Sequence, residues 1–490
     1  MSTESDTTTH PTGPGSEPDR LDRTVIVTAG VVVLGAIMSI LDITVVSVAL
    51  QTFQREFDAT AAQVAWTMTG YTLALAAVIP LTGWAADRFG TKRLYLLAIV
   101  LFAAGSALCA LATTLPMLVA FRVVQGLGGG MLMPLGMTIL TRAAGPERVG
   151  RVMAIMGIPM LLGPIFGPIL GGWLIDAASW HWIFLINVPI GVAAFAYAAV
   201  VLPRDHVEPS ETFDWLGMVL LSPGLALFLY GISTIPETGT FFDAEVLVPA
   251  VLGTVLIVSF VPWALNRRNL HPLIDLRLFS NRNMTIAVVA MSLFAISFFG
   301  AGLLFPLYFQ QVRGEDALHA GLLLAPQGFG AMITMPIAGV LADRIGPGKI
   351  VLTSIAVVAA GLVMFSTLTD TTSYAFLMTS LFIMGLGMGG TMMPIMSAAL
   401  ATLRAHTIAR GSTLMNIVQQ VAASVGTAVF TVLLTNGLKE AEPTPAGVAE
   451  VYGGVFVVAA VLVALVLVPA FFLPRKKIEH QVDVTVLAGH

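Results

Sequence analysis

Charge is scarce in this chain. Of its 490 residues only 11% are Asp, Glu, Lys or Arg, while 57% are apolar; a soluble domain carries about 25% charged residues. That shortage excludes an ordinary water-soluble globule and indicates an all-α polytopic membrane protein with little mass outside the bilayer. Cysteine is all but missing. The lone Cys109 lies in an apolar run, which excludes an internal disulfide and a cysteine metal cluster, and no metal-ligand spacing occurs elsewhere. There is no G-x-x-x-x-G-K-[ST], so nothing in the chain points to nucleotide hydrolysis; the expectation is no enzyme and no cofactor. A net charge of −4 argues against nucleic acid as a partner. Residues 1–23, rich in Ser, Thr, Pro and Asp, read as a disordered tail, and without a basic stretch behind Met1 they do not read as a cleaved signal peptide.

What fills the chain is apolar runs. A span needs about 20 mainly apolar residues, and fourteen are present, at roughly 25–50, 62–83, 94–112, 116–140, 152–175, 183–202, 215–235, 246–266, 284–309, 319–341, 350–368, 374–400, 411–436 and 451–473. Lysine and arginine orient them. With the N-terminus in the cytoplasm, 20 of the 24 basic residues fall in cytoplasmic segments, Arg55, Arg313 and Lys439 fall outside, and Arg122 lies within a span. Both termini are therefore expected in the cytoplasm.

One short charged stretch occurs twice. Gly83-Trp-Ala-Ala-Asp87-Arg88-Phe-Gly90-Thr-Lys-Arg93 is matched 256 positions on by Gly339-Val-Leu-Ala-Asp343-Arg344-Ile-Gly346-Pro-Gly-Lys349. Each follows the second span of a six-span set, so the chain reads as two related halves. Gly126-Leu-Gly-Gly-Gly-Met-Leu-Met-Pro134 is echoed by Gly385-Leu-Gly-Met-Gly-Gly-Thr-Met-Met-Pro394. The expected layout is a tail over 1–23, a six-helix bundle over 24–202, a linker with two extra spans over 203–282, a second bundle over 283–474 and a tail over 475–490. The two extra spans should pack outside the bundles.

The repeated turn resembles the signature of the major facilitator superfamily. Leu118-x-x-x-Arg122-x-x-Gln125-Gly126-x-Gly128 is similar to its fourth-span motif, and Gly163-x-x-x-Gly167-Pro168-x-x-Gly171-Gly172 resembles its antiporter motif. Leu41 to Leu50 and Trp182 to Gly191 look like the fourteen-span drug:proton antiporter family. Gln51, His181 and Thr91 depart from the family's usual residues. The resemblance implies two six-helix bundles with pseudo-two-fold symmetry plus two central helices. It also implies export of small amphipathic or hydrophobic compounds, drugs included, driven by the proton gradient. A dedicated exporter of a lipid, siderophore or secreted metabolite fits the same residues, and a nutrient facilitator or symporter fits them less well. Partners would be a small-molecule substrate, protons and membrane lipid; the protein would be a monomer in a bacterial plasma membrane.

Two charged residues sit well inside the spans, Asp42 and Arg122. At about 1.5 Å per residue they lie about 12 Å and about 9 Å below the outer surface, and intramembrane charges are paired or functional. Burial disfavours a charged carboxylate and a nearby cation favours it, so a site whose cation or water access changes with conformation binds and releases protons. The second half has no counterpart, since Leu381 aligns with Arg122. The Gly- and Pro-rich span 5 is expected to seal the outer side against span 13. Thr44, Tyr71, Gln125, Gln327, Asn416 and Gln420 are the candidates for a substrate cavity, and the methionines of spans 4, 5 and 12 for an adaptable apolar wall.

Overall fold

The computed structural model of the chain describes residues 22–145, 148–203, 212–235, 240–266, 269, 271–315, 317–403 and 407–475. Nearly all of both expected tails lies outside them. The helices are α1 (Arg23–Glu56), α2 (Ala61–Phe89), α3 (Thr91–Ala110), α4 (Leu115–Ala144), α5 (Val149–Ala177), α6 (broken into Trp182–Leu185 and Asn187–Val201) and α7 (Trp215–Ser233). They continue with α8 (Ala244–Leu265), α9 (Arg282–Gln311), α10 (Ala317–Ile345), α11 (Pro347–Ser366), α12 (Tyr374–Met388 and Met392–Leu400), α13 (Ile408–Glu440) and α14 (Pro445–Leu465 with Leu467–Phe471). Among the described residues, thirteen are long and apolar enough to cross a membrane. The 29-residue α5 is the fourteenth, which makes this a multi-pass membrane protein. Starts are fixed by side-chain caps that satisfy the free N–H groups of a first turn. Thr60 forms a capping box with Gln63, and Thr114, Asp214, Asn281, Ser373 and Thr444 each accept from the turn that follows.

The repeated charged stretch is shorter as a turn than its sequence suggests. α2 stays helical through Phe89 and α3 begins at Thr91, so Gly90 alone reverses the chain, at φ 94°. Gly346 does the same between α10 and α11 at φ 95°. Only glycine adopts that conformation without a Cβ penalty.

The halves repeat their packing. In the first, α1 lies on α5, α2 and α3 both lie on α4, and α3 lies on α6; in the second, α9 lies on α13, α10 and α11 on α12, and α11 on α14. Between halves α5 meets α10 and α12, and correspondingly α13 meets α2 and α4. The glycines of the repeated stretch mark these crossings. A Cβ on Gly83 would press on Thr413 and the backbone at Arg410, and one on Gly339 would overlap Ala154 and the Gly150 carbonyl. α7 and α8 form a hairpin against the outside of α2 and α13. It joins α2 through Trp84–Phe213, with centroids 4.4 Å apart, and Trp66–Tyr230, at 5.6 Å.

Candidate functional site

α1, α3, α4 and α6 bring one buried polar site together inside the first half. Arg122 donates from Nη1 to Asp42 Oδ2 at 2.5 Å. The other carboxylate oxygen accepts from Gln125 Nε2 at 2.7 Å and from Asn187 Nδ2 at 3.3 Å. Arg122 also donates from Nη1 to Gln125 Oε1 and from Nε to the Thr67 carbonyl, at 2.7 and 3.0 Å, and its guanidinium lies 4.2 Å from the centre of the Tyr71 ring. Ser106 Oγ accepts from both amides and donates to the Phe184 carbonyl at 2.9 Å. Asp42 and Arg122 are each only 1% exposed. A buried pair so fully hydrogen-bonded holds its geometry; removing one partner of such a pair costs about 3–5 kcal/mol.

Local sequence makes the site possible. Gly105 brings α3 within backbone contact of Gln125, where a Cβ would sit 2.7 Å from the Gln125 Cα. The break in α6 at Ile186 places Asn187 at the start of the second piece. Neither Asn187, although it lies in the Trp182 to Gly191 stretch, nor Ser106 was singled out as a site residue from the sequence. Asn187 is the one side-chain amide in the sixth span, and an intramembrane amide beside a helix break was the available signal. Ser106 offered none, because a lone serine in a span usually returns its hydroxyl to its own helix.

A second feature lies mainly in the other half. A cavity of about 330 Å³ is walled by Phe294, Phe298, Phe299 and Phe305 of α9, Leu324, Gln327 and Met335 of α10, and Met388, Met392 and Met393 of α12. Gly157 of α5 closes it across the halves. Gln327, the one polar side chain among the described residues of its wall, points Nε2 at the Met388 sulfur, 3.0 Å away. Of the six cavity candidates this is the only one the cavity contains. Tyr71 and Gln125 belong instead to the Asp42 site. Thr44 donates to the Ile40, Leu41 and Gly163 carbonyls between α1 and α5. Asn416 donates to the Ser412 carbonyl and meets Met137, and Gln420 faces a small gap shared with α2 and α7. Thr44 and Asn416 thus spend their donors on backbone carbonyls, as satisfaction of buried polar groups requires.

At the end carrying the glycine turns, each repeat aspartate reaches into the opposite half. Asp87 pairs with Arg142 of its own half at 3.3 Å and with Arg410 of α13 at 3.7 Å. Asp343 accepts from the backbone N–H groups of Gly150 and Arg151 at 2.8 and 3.2 Å, capping α5 across the seam, with Arg151 Nε at 3.6 Å. An acid at a helix N-terminus is favoured by both the free N–H groups and the dipole. Arg88 and Arg344 follow the two aspartates in sequence, and Arg93 lies in the first turn of α3.

The family model described as Major Facilitator Superfamily matches residues 32–427. The chain belongs to the major facilitator superfamily. It is 49% identical to the multidrug resistance protein B homolog of Mycobacterium tuberculosis, over 96% of this chain and 94% of that one. It is 34% identical to the multidrug export protein EmrB of Haemophilus influenzae, over 82% and 79%. Among solved structures, the proton:xylose symporter XylE bound to 6-bromo-6-deoxy-D-glucose aligns with a TM-score of 0.63 at 14% identity, over 95% of this chain and 99% of that one. The human organic anion transporter MFSD10 aligns with 0.61 at 15%, over 90% and 100%. These two share the fold.

The glycines of α5 in this major facilitator protein differ in role from what the motif led us to expect. Gly163, Gly167 and Gly171 face α1, where a Cβ would strike Ile40, Thr44 and Val45 respectively. α5 meets the second half through α10 and α12, so its expected partner, span 13, is replaced. The pseudo-two-fold gives α13 to α2 and α10 to α5. Gly172 faces open space, and the side chain of Pro168 lies outside the described residues.

Proposed function

We propose that the protein is a proton-driven exporter of small amphipathic or hydrophobic compounds, of the fourteen-span drug:proton antiporter kind. The observation that carries this reading is a separation. The one buried carboxylate–guanidinium pair inside the bundles among the described residues, Asp42–Arg122, belongs to the first half, and the aromatic and methionine cavity, without a charged side chain in its wall, belongs mainly to the second. Relatives named for multidrug resistance and multidrug export support the same cargo class. Thioether and ring surfaces adapt to varied apolar shapes.

In this reading the glycine-turn end faces the cytoplasm of a bacterial plasma membrane, because the basic residues gather there, and both termini lie on that side. Asp87–Arg410 and the Asp343 cap then close the cytoplasmic end. A proton delivered to Asp42 removes the charge that holds Arg122. Arg122 keeps the Thr67 carbonyl and Gln125 Oε1 as acceptors but loses its counter-charge, so the site loosens between α1 and α4. Release of the proton to the cytoplasm restores the pair. No cofactor takes part, and a monomer suffices.

The test is Asp42→Asn in inside-out vesicles with an imposed proton gradient. The asparagine cannot bind the driving proton, so uphill export should be lost while downhill exchange of substrate persists. Uphill export with the wild-type pH dependence would overturn the reading.

A further inference from the structure

We propose that the cavity opens sideways into the outer leaflet between α5 and α10, and that cargo leaves through this doorway as a membrane-dissolved amphiphile, its uncharged apolar tail in the cavity and its head at the interface. This rests on the exporter reading and its orientation. The halves meet along two seams related by the pseudo-two-fold, α2 against α13 and α5 against α10. Both are shut at the cytoplasmic end by the Gly83 and Gly339 crossings and the two aspartates.

Toward the outer end the seams part company. The α7–α8 hairpin covers the first: Trp66 of α2 stacks on Tyr230, and Ile235 and Val246 are buried together with Ala428 and Val432 of α13. The gap left among α2, α7 and α13 is about 10 Å³, at most the room of one water. The second seam has no such cover among the described residues. Its antiparallel register is set by Gly150 against Gly339 and Gly157 against Met335. Carried twelve residues outward, that register puts Ile169 opposite Leu323, and beside it Ile169 and Leu322 are 42% and 51% exposed. Among the described residues, a Cβ on Gly172 or on Gly321 would meet nothing within 4 Å. Gly321, Leu324 and Gln327 also line the cavity, so the open stretch and the cavity share a wall. At about 1.5 Å per residue Ile169 lies about 12 Å below the outer end of α5, deep enough to face hydrocarbon rather than water, and the apolar rim suits a chain or ring system without formal charge.

The experiment uses the full-length protein in liposomes with a lysophosphatidylcholine whose acyl tail ends in a diazirine, photoactivated and mapped by peptide mass spectrometry. The wild type should give adducts on Phe298, Leu324 and Met388. Gly172→Trp and Gly321→Trp, two separate wedges placed in open space, should each cut those adducts by about tenfold, one order of affinity. Unchanged cavity adducts in both wedges would overturn the proposal. So would adducts confined to bilayer-facing residues such as Val255, or equal labelling of Ala76 and Ile417 behind the hairpin. Labelling needs no proton gradient. If Asp42→Asn exports normally while the wedges still block labelling, the exporter reading fails and the doorway stands.

Discussion

α4 and α12 are the same helix put to two uses. Gly126 of α4 lies against the Tyr71 carbonyl of α2, and Gly385 of α12 lies against the Gln327 carbonyl of α10. Stepping back one residue from each glycine pairs Gln125 with Met384, and stepping back four pairs Arg122 with Leu381. Gly105 and Gly361 make the same close approach to Gln125 and Met384. The backbones agree to this level of detail, yet Tyr71, Arg122 and Gln125 hold a carboxylate in a closed site, while Gln327 and Met388 edge an open cavity. A duplicated scaffold thus separates a charge lock from a binding space. Each can be altered without rebuilding the other, because the glycines rather than the site residues set the helix spacing.

Removing the lock should have the largest effect. Arg122→Leu copies the second half's residue into the first and leaves Asp42 buried without its cation, which should lower stability by about 3–5 kcal/mol, seen as an early melt in detergent. Asp42→Asn/Arg122→Leu should recover most of that loss, since no bare charge remains. A single variant as stable as the wild type would mean that the pair does not organise the first half.

The converse substitution gives the next effect. Leu381→Arg places a cation where exposure is 0% and no acid faces it in the described surroundings of α12. It should destabilise by several kcal/mol, since a buried ion without a partner retains most of its desolvation cost. A tolerated arginine would imply that water reaches this helix in the second half, and the contrast between the halves would then be one of hydration rather than of partners.

These contrasts were partly legible in the residues. Two charges among apolar runs, Asp42 and Arg122, identify each other because nothing else in the spans can compensate them. The repeat of Gly83 and Gly339 gives the two halves because a turn that needs φ near 95° admits little but glycine. The cavity was legible only in part: Gln327 and the methionines of span 12 were candidates, and Met388, Met392 and Met393 do line it, but the phenylalanines of α9 were not foreseen. Thr44, Asn416 and Gln420 look like pocket residues by polarity, but a hydroxyl or amide in a helix can spend itself on a carbonyl one turn away or on the next helix. Which face looks into a void depends on how α9, α10 and α12 splay, and Phe298 carries no sign of it in a sequence full of similar residues. The partner of α5 was misread for a related reason: a glycine face declares close packing but not against which helix.

The two aspartates of the repeat should separate next. Asp343→Ala removes the acceptor of two backbone N–H groups at the start of α5, an N-cap loss of about 1 kcal/mol. Asp87→Ala removes contacts to Arg142, whose side chain is 33% exposed, and to Arg410, whose side chain is 12% exposed, and these hold the other seam, α2 against α13. A cysteine at Ala154, where α5 meets α10, should therefore react with a soluble maleimide about fivefold faster in the Asp343 variant and less so in the Asp87 variant. Equal rates would show that both seams share the closure evenly.

The smallest effect is the sharpest on the division of labour. Gln327→Leu removes the cavity's one polar side chain and gives Met388 an apolar neighbour. A cargo with a hydrogen-bonding group should lose about 1 kcal/mol of binding, read as a several-fold rise in KM, while a purely apolar cargo is unaffected. The pH profile of export should not move for either, since Gln327 makes none of the hydrogen bonds to Asp42. A shifted profile would mean that proton site and cavity communicate through this residue, and the separation between α4 and α12 would then describe where the groups sit rather than how they work.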